Sequence, residues 1–187
     1  MKKFLVMLLV LFAVTSSAFA VESPVPPQKG QWGFALTSSL PLYEKADSDS
    51  DSEYVDFNDE WFKVSSAIRD GNDRLWYKVK IGKKSGWLAQ EGVRLKLQNS
   101  GRSKAAANLY KQYKKKKSVL NSLNGMDRDD LRAKIGTATM RETPYDDADV
   151  DILSYELSGR DMTLEVTLRN NEVVSAEFKE GRAGQTD

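Results

Sequence analysis

Cysteine and histidine are both absent from the 187 residues. Their absence excludes disulfides, Cys and His nucleophiles, Ser-His-Asp triads and conventional structural zinc sites. It also leaves no cysteine to carry an acyl anchor. Long apolar runs are scarce. The one that stands out, Phe4 to Val14, is shorter than the roughly 20 residues a membrane-spanning helix needs. A phosphate-cradling Gly-rich loop is missing as well, so an enzyme would have to rely on a carboxylate pair or a Ser-Lys dyad. Asp146, Asp147, Asp149 and Asp151 supply carboxylates, but no nucleophile pattern converges on them. The chain therefore reads as non-enzymatic, with no catalytic residue, no cofactor and no metal site.

What is present begins with an export signature. Lys2 and Lys3 precede the apolar run, and Thr15 to Ala20 supplies the small residues that signal peptidase reads, which predicts cleavage after Ala20. Residues 1–20 are the expected signal peptide, leaving 187 − 20 = 167 residues and no transmembrane segment. Localisation is then secreted, in a periplasm or at the envelope exterior. Nucleic acid is not an expected partner of an exported chain. The net charge of +1 becomes +1 − 2 = −1 without the two leader lysines, and it is unevenly spread. Residues 31–98 carry 10 basic and 11 acidic side chains, residues 99–125 carry 7 basic and none acidic, and residues 126–187 carry 8 basic and 15 acidic.

Residues 21–30 hold Pro24, Pro26 and Pro27 and read as a Pro-rich tether. Short β-type runs follow, broken by turn signals. They are Gly33 to Thr37, Trp61 to Val64, Leu75 to Ile81 and, after the Gly82-Lys83-Lys84-Ser85 hairpin loop, Gly86 to Ala89. The run Leu75-Trp76-Tyr77-Lys78-Val79-Lys80-Ile81-Gly82-Lys83-Lys84-Ser85-Gly86-Trp87-Leu88 resembles the second half of a bacterial SH3-like (SH3b) domain. In that family a W-x-K-V strand, a Gly turn and a G-W-[VIL] strand close a barrel. Leu40-Pro41-Leu42-Tyr43 stands where the family has its L-N-V-R segment, with Pro-Leu-Tyr in place of Asn-Val-Arg. The resemblance implies a small β-barrel over 31–98.

The second half opens with a helical stripe. Ser103 is the predicted N-cap, and Ala106, Leu109, Tyr110, Tyr113, Leu120 and Leu123 recur at helical spacing up to Asn124-Gly125, which predicts one helix with a basic turn at Lys114 to Lys117. Asp127 is the predicted cap of a second, short helix ending at Gly136. Three alternating strands are expected at Ile152 to Leu157, Met162 to Leu168 and Val173 to Phe178. This order, together with Met126-Asp127-Arg128-Asp129-Asp130-Leu131-Arg132-Ala133-Lys134-Ile135-Gly136-Thr137, is similar to the small SmpA/OmlA (BamE-like) lipoprotein fold. Ala138 stands where that family has Pro. The expected fold class is thus a β plus α/β mix of two modules. An SH3-like barrel would be followed over 103–180 by helix, helix and three-stranded antiparallel meander, with a flexible tail at 181–187.

Three constellations invite functional readings. Asp47-x-Asp49-x-Asp51 and Asp147-x-Asp149-x-Asp151 have the opening spacing of a calcium loop. The required Gly and Glu are replaced by Ser52 and Asn58 in one and Ile152 and Ser158 in the other, so neither qualifies. Trp32, Tyr43, Tyr54, Trp61, Trp76, Tyr77 and Trp87 crowd a unit too small to bury them all. Val79 and Trp87 are expected in the core. Alternation puts Trp76 and Tyr77 on opposite faces, which predicts that one is half exposed. Tyr43, Trp61, Trp76 and Tyr77 are accordingly the expected ligand-binding platform for wall or a wall-associated peptide, since flat rings give contact area at small entropy cost. Lys114, Lys115, Lys116 and Lys117 are the candidate contact to an anionic surface, with a solvated helix face as the plain alternative. The combined expectation is an exported cell-envelope binding protein whose SH3-like module binds wall. A scaffold binding only protein partners, or an inhibitor of an extracytoplasmic enzyme, are the alternatives.

Overall fold

The computed structural model describes residues 23–25, 31–72, 74–97 and 101–183. The expected signal peptide, most of the tether and the end of the tail lie outside them. In chain order the strands are β1 (Ser23–Val25), β2 (Gln31–Ala35), β3 (Ser39–Tyr43), β4 (Ser52–Asp56), β5 (Trp61–Arg69), β6 (Leu75–Ile81), β7 (Lys84–Ala89) and β8 (Val93–Lys96). Helix α1 (Lys104–Tyr113), a 3-10 helix (Lys117–Leu123) and α2 (Arg128–Ile135) intervene before β9 (Met140–Thr143), β10 (Val150–Glu156), β11 (Met162–Arg169) and β12 (Glu172–Glu180).

All of these strands belong to one sheet, ordered β12-β11-β10-β9-β8-β2-β5-β6-β7-β3-β4, with β1 on β5. Every pairing is antiparallel. This overturns the expected pair of modules. A closed barrel would satisfy both edges of each strand within residues 31–98. Here β8 gives one edge to β2 and the other to β9, in the register Val93↔Thr143, Arg94↔Glu142, Leu95↔Arg141 and Lys96↔Met140. The sheet therefore runs straight from one half of the chain into the other. The Arg94–Glu142 ion pair, 2.8 Å long, sits on a directly opposed pair of this seam.

Two apolar clusters flank the seam. One gathers Leu40, Leu42, Val55, Phe57, Phe62, Tyr77, Val79, Leu88 and Leu95 with their neighbours. The other is built from α1, the 3-10 helix, α2 and the inner faces of β10, β11 and β12, around Leu123, Leu131, Tyr155, Leu157, Leu164 and Leu168. Burying each such leucine contributes about 1.5–3 kcal/mol. Leu97, just after β8, packs against both.

Local chemistry explains the helix ends. The Ser103 hydroxyl accepts from the Ala106 amide at 3.0 Å and donates to the Ile135 carbonyl at 2.9 Å, tying the start of α1 to the end of α2. The Asp127 carboxylate accepts from the Asp130 amide at 2.8 Å, and Gly136 follows α2 with a φ of 96°. The single long helix expected up to Asn124 is instead two pieces. Lys114 caps α1 and Lys116 is extended; a continuous helix would set Lys111 against Lys115 and Lys114 against Lys117 as like-charged neighbours, with no carboxylate in the segment to offset them. Two further expectations change. Ser23–Val25, inside the expected tether, pairs with Arg69, Ile68 and Ala67. The start of the expected tail is docked, since the Gly181 amide donates to the Asp161 carbonyl and its carbonyl accepts from Thr163.

Candidate functional site: a cleft across the seam

Two adjoining cavities, of about 330 and 820 Å³, share Arg74, Glu91 and Ala148 in their walls and form one cleft. The smaller end sets the Tyr43 and Tyr145 rings and the apolar Leu40, Pro41 and Leu88 beside the charged Arg74, Glu91 and Asp146. The larger end is polar, with Arg69, Arg128, Arg141, Asp149 and Asp151 among its walls. Both ends draw side chains from both sides of the β8–β9 seam.

The polar floor is organised on Asp151, buried on β10. Arg141 of β9 donates Nε to Oδ1 at 2.8 Å, and its terminal nitrogen pairs with Oδ2 at 2.8 Å. The Thr143 hydroxyl donates to Oδ1 at 2.6 Å, and Arg128 of α2 donates to Oδ2. Burial alone would raise the Asp151 pKa. Arg141, then Arg128, outweigh it and hold the carboxyl below its usual 3.8. Arg128 itself is pushed down, first by burial and next by repulsion from Arg141, against the pull of Asp151. Gln90, also buried, accepts from Arg141 at 3.0 Å and donates to the Ala148 carbonyl at 3.3 Å. Tyr77 lies close enough for Arg141 to oppose the burial that raises its hydroxyl.

Turn chemistry positions the surrounding walls. Asn170 and Asn171 both have positive φ, 49° and 67°, as a tight β11–β12 hairpin requires. That turn sets the Asn171 Oδ1 2.7 Å from Arg128 Nε, and the Asn170 amide 2.9 Å from the Asp149 carbonyl. Across the cleft, Asp70 caps the β5–β6 turn by accepting from the amides of Asn72 and Arg74. Arg74 then grips Glu91 with Nε and a terminal nitrogen, both at 2.8 Å.

At the aromatic end, Tyr145 is 49% exposed, and the neighbouring Tyr54 phenol raises its pKa. Its ring rests on Gly92, where an added Cβ would lie 2.9 Å from Tyr145 and 2.8 Å from Leu40.

The structure does not assemble the four expected ligand residues. Tyr43 does line the aromatic end. Trp61 lies elsewhere, half exposed and 5.4 Å from Phe34 between ring centroids. Trp76 and Tyr77 are 0% and 2% exposed, so neither presents the half-open ring that alternation suggested. Tyr77 points into the first apolar cluster. Trp76 is on the opposite face, yet Tyr43 packs edge-on at 5.2 Å, the Arg74 guanidinium lies 4.9 Å from its ring, and its Nε1 donates to Asp70 at 2.8 Å. Trp87, expected in the core, is half-buried beneath Lys78 and outside the apolar cluster. Lys114, Lys115, Lys116 and Lys117 are exposed, and Lys117 Nζ lies 3.9 Å from the Tyr113 ring centroid. The second Asp series does not converge on a cation site. Asp147 pairs with Arg169 at 2.8 Å while Asp151 is enclosed by Arg141 and Arg128.

Arg69, Arg74, Arg128, Arg141 and Tyr145 were not candidates from sequence. The four arginines are scattered over 72 positions, 141 − 69, and no local spacing joins them. The carboxylate they surround was visible, but within a series whose spacing suggested calcium.

No family model matches the chain, and no curated protein and no solved structure matches it. Among the described residues, no helix is long and apolar enough to cross a membrane.

Proposed function

We propose that this is an exported, non-enzymatic binding protein of the cell envelope, and that its ligand, cell wall or a wall-associated peptide, lies in the cleft across the β8–β9 seam. The observation that carries this reading is the composition of the cleft. One end offers the Tyr43 and Tyr145 rings, and the other offers guanidiniums, carboxylates and amides. A ligand with an apolar or ring-bearing part and a charged part matches both ends at once. The two carboxylates buried in the cleft are already engaged. Asp151 accepts from three donors, and Glu91 is held bidentately by Arg74. That supports binding over catalysis. The lysine run Lys114–Lys117 supplies a peripheral electrostatic contact with an anionic surface.

Co-sedimentation of the purified protein with peptidoglycan at low and high salt tests the assignment. Retention that survives high salt and is lost in Tyr145→Ala is the expected result. Simultaneous replacement of Lys114 to Lys117 by Gln is expected to weaken only the salt-sensitive part. Salt-resistant retention that is unchanged in Tyr145→Ala would remove the ligand from the cleft. Absence of retention at either salt would turn the assignment toward a protein partner.

A further inference from the structure

The sheet face turned away from the first apolar cluster has an order of its own. Alternation buries Gln31, Gly33 and Ala35 on β2 and sends Trp32 and Phe34 outward. On β5 it buries Phe62 and Val64 and sends Trp61 and Lys63 outward. The register arranges these side chains in two rows. Trp32 stands between Lys63 of β5 and Lys96 of β8, and Phe34 stands between Trp61 and Arg94. Trp32 and Trp61 are 41% and 39% exposed, and neither they nor Phe34 line the cleft.

The charge of this face has one sign. Strands β2, β5, β6, β7 and β8 contain no acidic residue. The carboxylate brought closest by the register, Glu142 of β9, is paired with Arg94. Lys63 and Lys96 are exposed, and among the described residues neither ammonium has an ion pair or hydrogen bond. Lys63 Nζ only lies 5.5 Å from the centroid of the Trp32 ring. A contact of that kind is weak at an exposed site, so the ammonium can turn to an arriving anion.

We propose that this face binds a glycan strand bearing carboxylates, as a polyuronate does. Its sugar rings lie on Trp32 and Trp61, and its carboxylates meet Lys63 and Lys96. A pyranose shows an apolar C–H face to a flat indole while its hydroxyls stay in water, and the lysines supply the opposite charge beside the ring. A peptide is served less well. Both edges of β2 are taken by β5 and β8, so the face has no main-chain groups to pair with peptide amides. A bilayer requires side chains that reach about 5–10 Å into the headgroup boundary, and indoles more than half covered by their neighbours lie too flat for that. Single-stranded nucleic acid also combines stacking with negative charge, and the choice of sugar over base rests on the exported-envelope reading above.

The test is a calorimetric titration of the purified protein with galacturonate and mannuronate hexamers. Cellohexaose supplies sugar without charge, and hexaglutamate supplies charge without sugar. The expected result is saturable binding of at least one uronate hexamer, with both controls at least tenfold weaker. Trp32→Ala should weaken the uronate at least tenfold at low and high salt. Lys96→Glu should weaken it severalfold at low salt, with the difference narrowing at high salt. If Trp32→Ala does not fold, Lys96→Glu, at an exposed position, still decides. Hexaglutamate binding as tightly as the uronates would overturn the glycan assignment, as would failure of both uronates to bind. Tighter binding of oligothymidylate or of phosphatidylglycerol vesicles, lost in Lys96→Glu, would give the face to another partner and overturn it too. Uronate binding lost in Tyr145→Ala but kept in Lys96→Glu would move the sugar to the cleft. The wall-retention assay on Tyr145→Ala reports on the cleft separately, so either site can fail without the other.

Discussion

Arg141 holds both oxygens of Asp151, Nε on Oδ1 and a terminal nitrogen on Oδ2, each at 2.8 Å, from adjacent strands of the sheet. Both side chains are only 10% exposed, so the pair is shielded from solvent and counterions. This contact joins the floor of the cleft to the seam, since Arg141 stands opposite Leu95 of β8.

Asp151→Asn removes the single carboxylate shared by Arg141 and Arg128. Breaking a buried ion pair from one side costs about 3–5 kcal/mol, and a loss of that size is expected in urea denaturation at neutral pH. The carboxyl is held below 3.8, so its stabilising contribution is complete above the unfolded value and disappears as pH falls through the lower folded one. The difference between wild type and Asp151→Asn should therefore shrink as the pH is taken below about 3.8. A gap that stays constant down to complete acid unfolding would contradict the assignment.

Tyr155 governs the alkaline side. Burial pushes its hydroxyl from 10.0 up to about 12, so the folded state favours the neutral phenol. That contribution is present below the unfolded value and is lost as pH rises from 10.0 toward about 12. Tyr155→Phe should flatten the fall in stability over this range, measured by denaturant midpoint. It should not abolish the fall, because Tyr77 is also raised by burial.

Trp76→Ala is expected to cost about 3–5 kcal/mol by opening a cavity under Tyr43 and Arg74. Trp76→Phe retains most of the volume and loses the bond to Asp70, a charge-assisted contact of about 1.5–3 kcal/mol. Thermal melts of the two variants should follow that order. A Trp76→Ala protein as stable as wild type would show that the indole is not the buried anchor described above.

Gly86→Ala tests a close approach between strands. A Cβ there would lie 2.6 Å from the Tyr43 carbonyl oxygen and 2.8 Å from Leu42 Cγ, so β3 and β7 must separate. A destabilisation of about 1–3 kcal/mol is expected, with faster amide exchange at β3 and β4 than elsewhere in the sheet.

Local order was largely readable in the chain, and long-range order was not. The 3.6-residue stripe with Ser103, the Asp127 cap, and the alternation of β6, β11 and β12 are encoded by neighbours within a few residues of one another. The β8–β9 seam is not. A strand that pairs on both edges and one that pairs on a single edge have the same period of two, so Val93–Lys96 carries no mark of its second partner. Trp76 failed for a related reason. Alternation assigns a side chain to a face, but Arg74 and Tyr43 roof that face after the chain has folded back. The cleft was hidden for the same cause, because Arg69, Arg128 and Arg141 meet only when the two halves share a sheet.

The continuous sheet has a mechanical meaning. Strand β1 lies on β5 and strand β12 forms the far edge, so the hydrogen-bonded path between them runs through β2, β8, β9, β10 and β11. Tension applied between Ser23 and Glu180 must cross the four residue pairs of β8 and β9. A ligand seated in the cleft touches walls on both sides of that short ladder, so it acts as a rivet. Occupancy would raise the force at which the halves part.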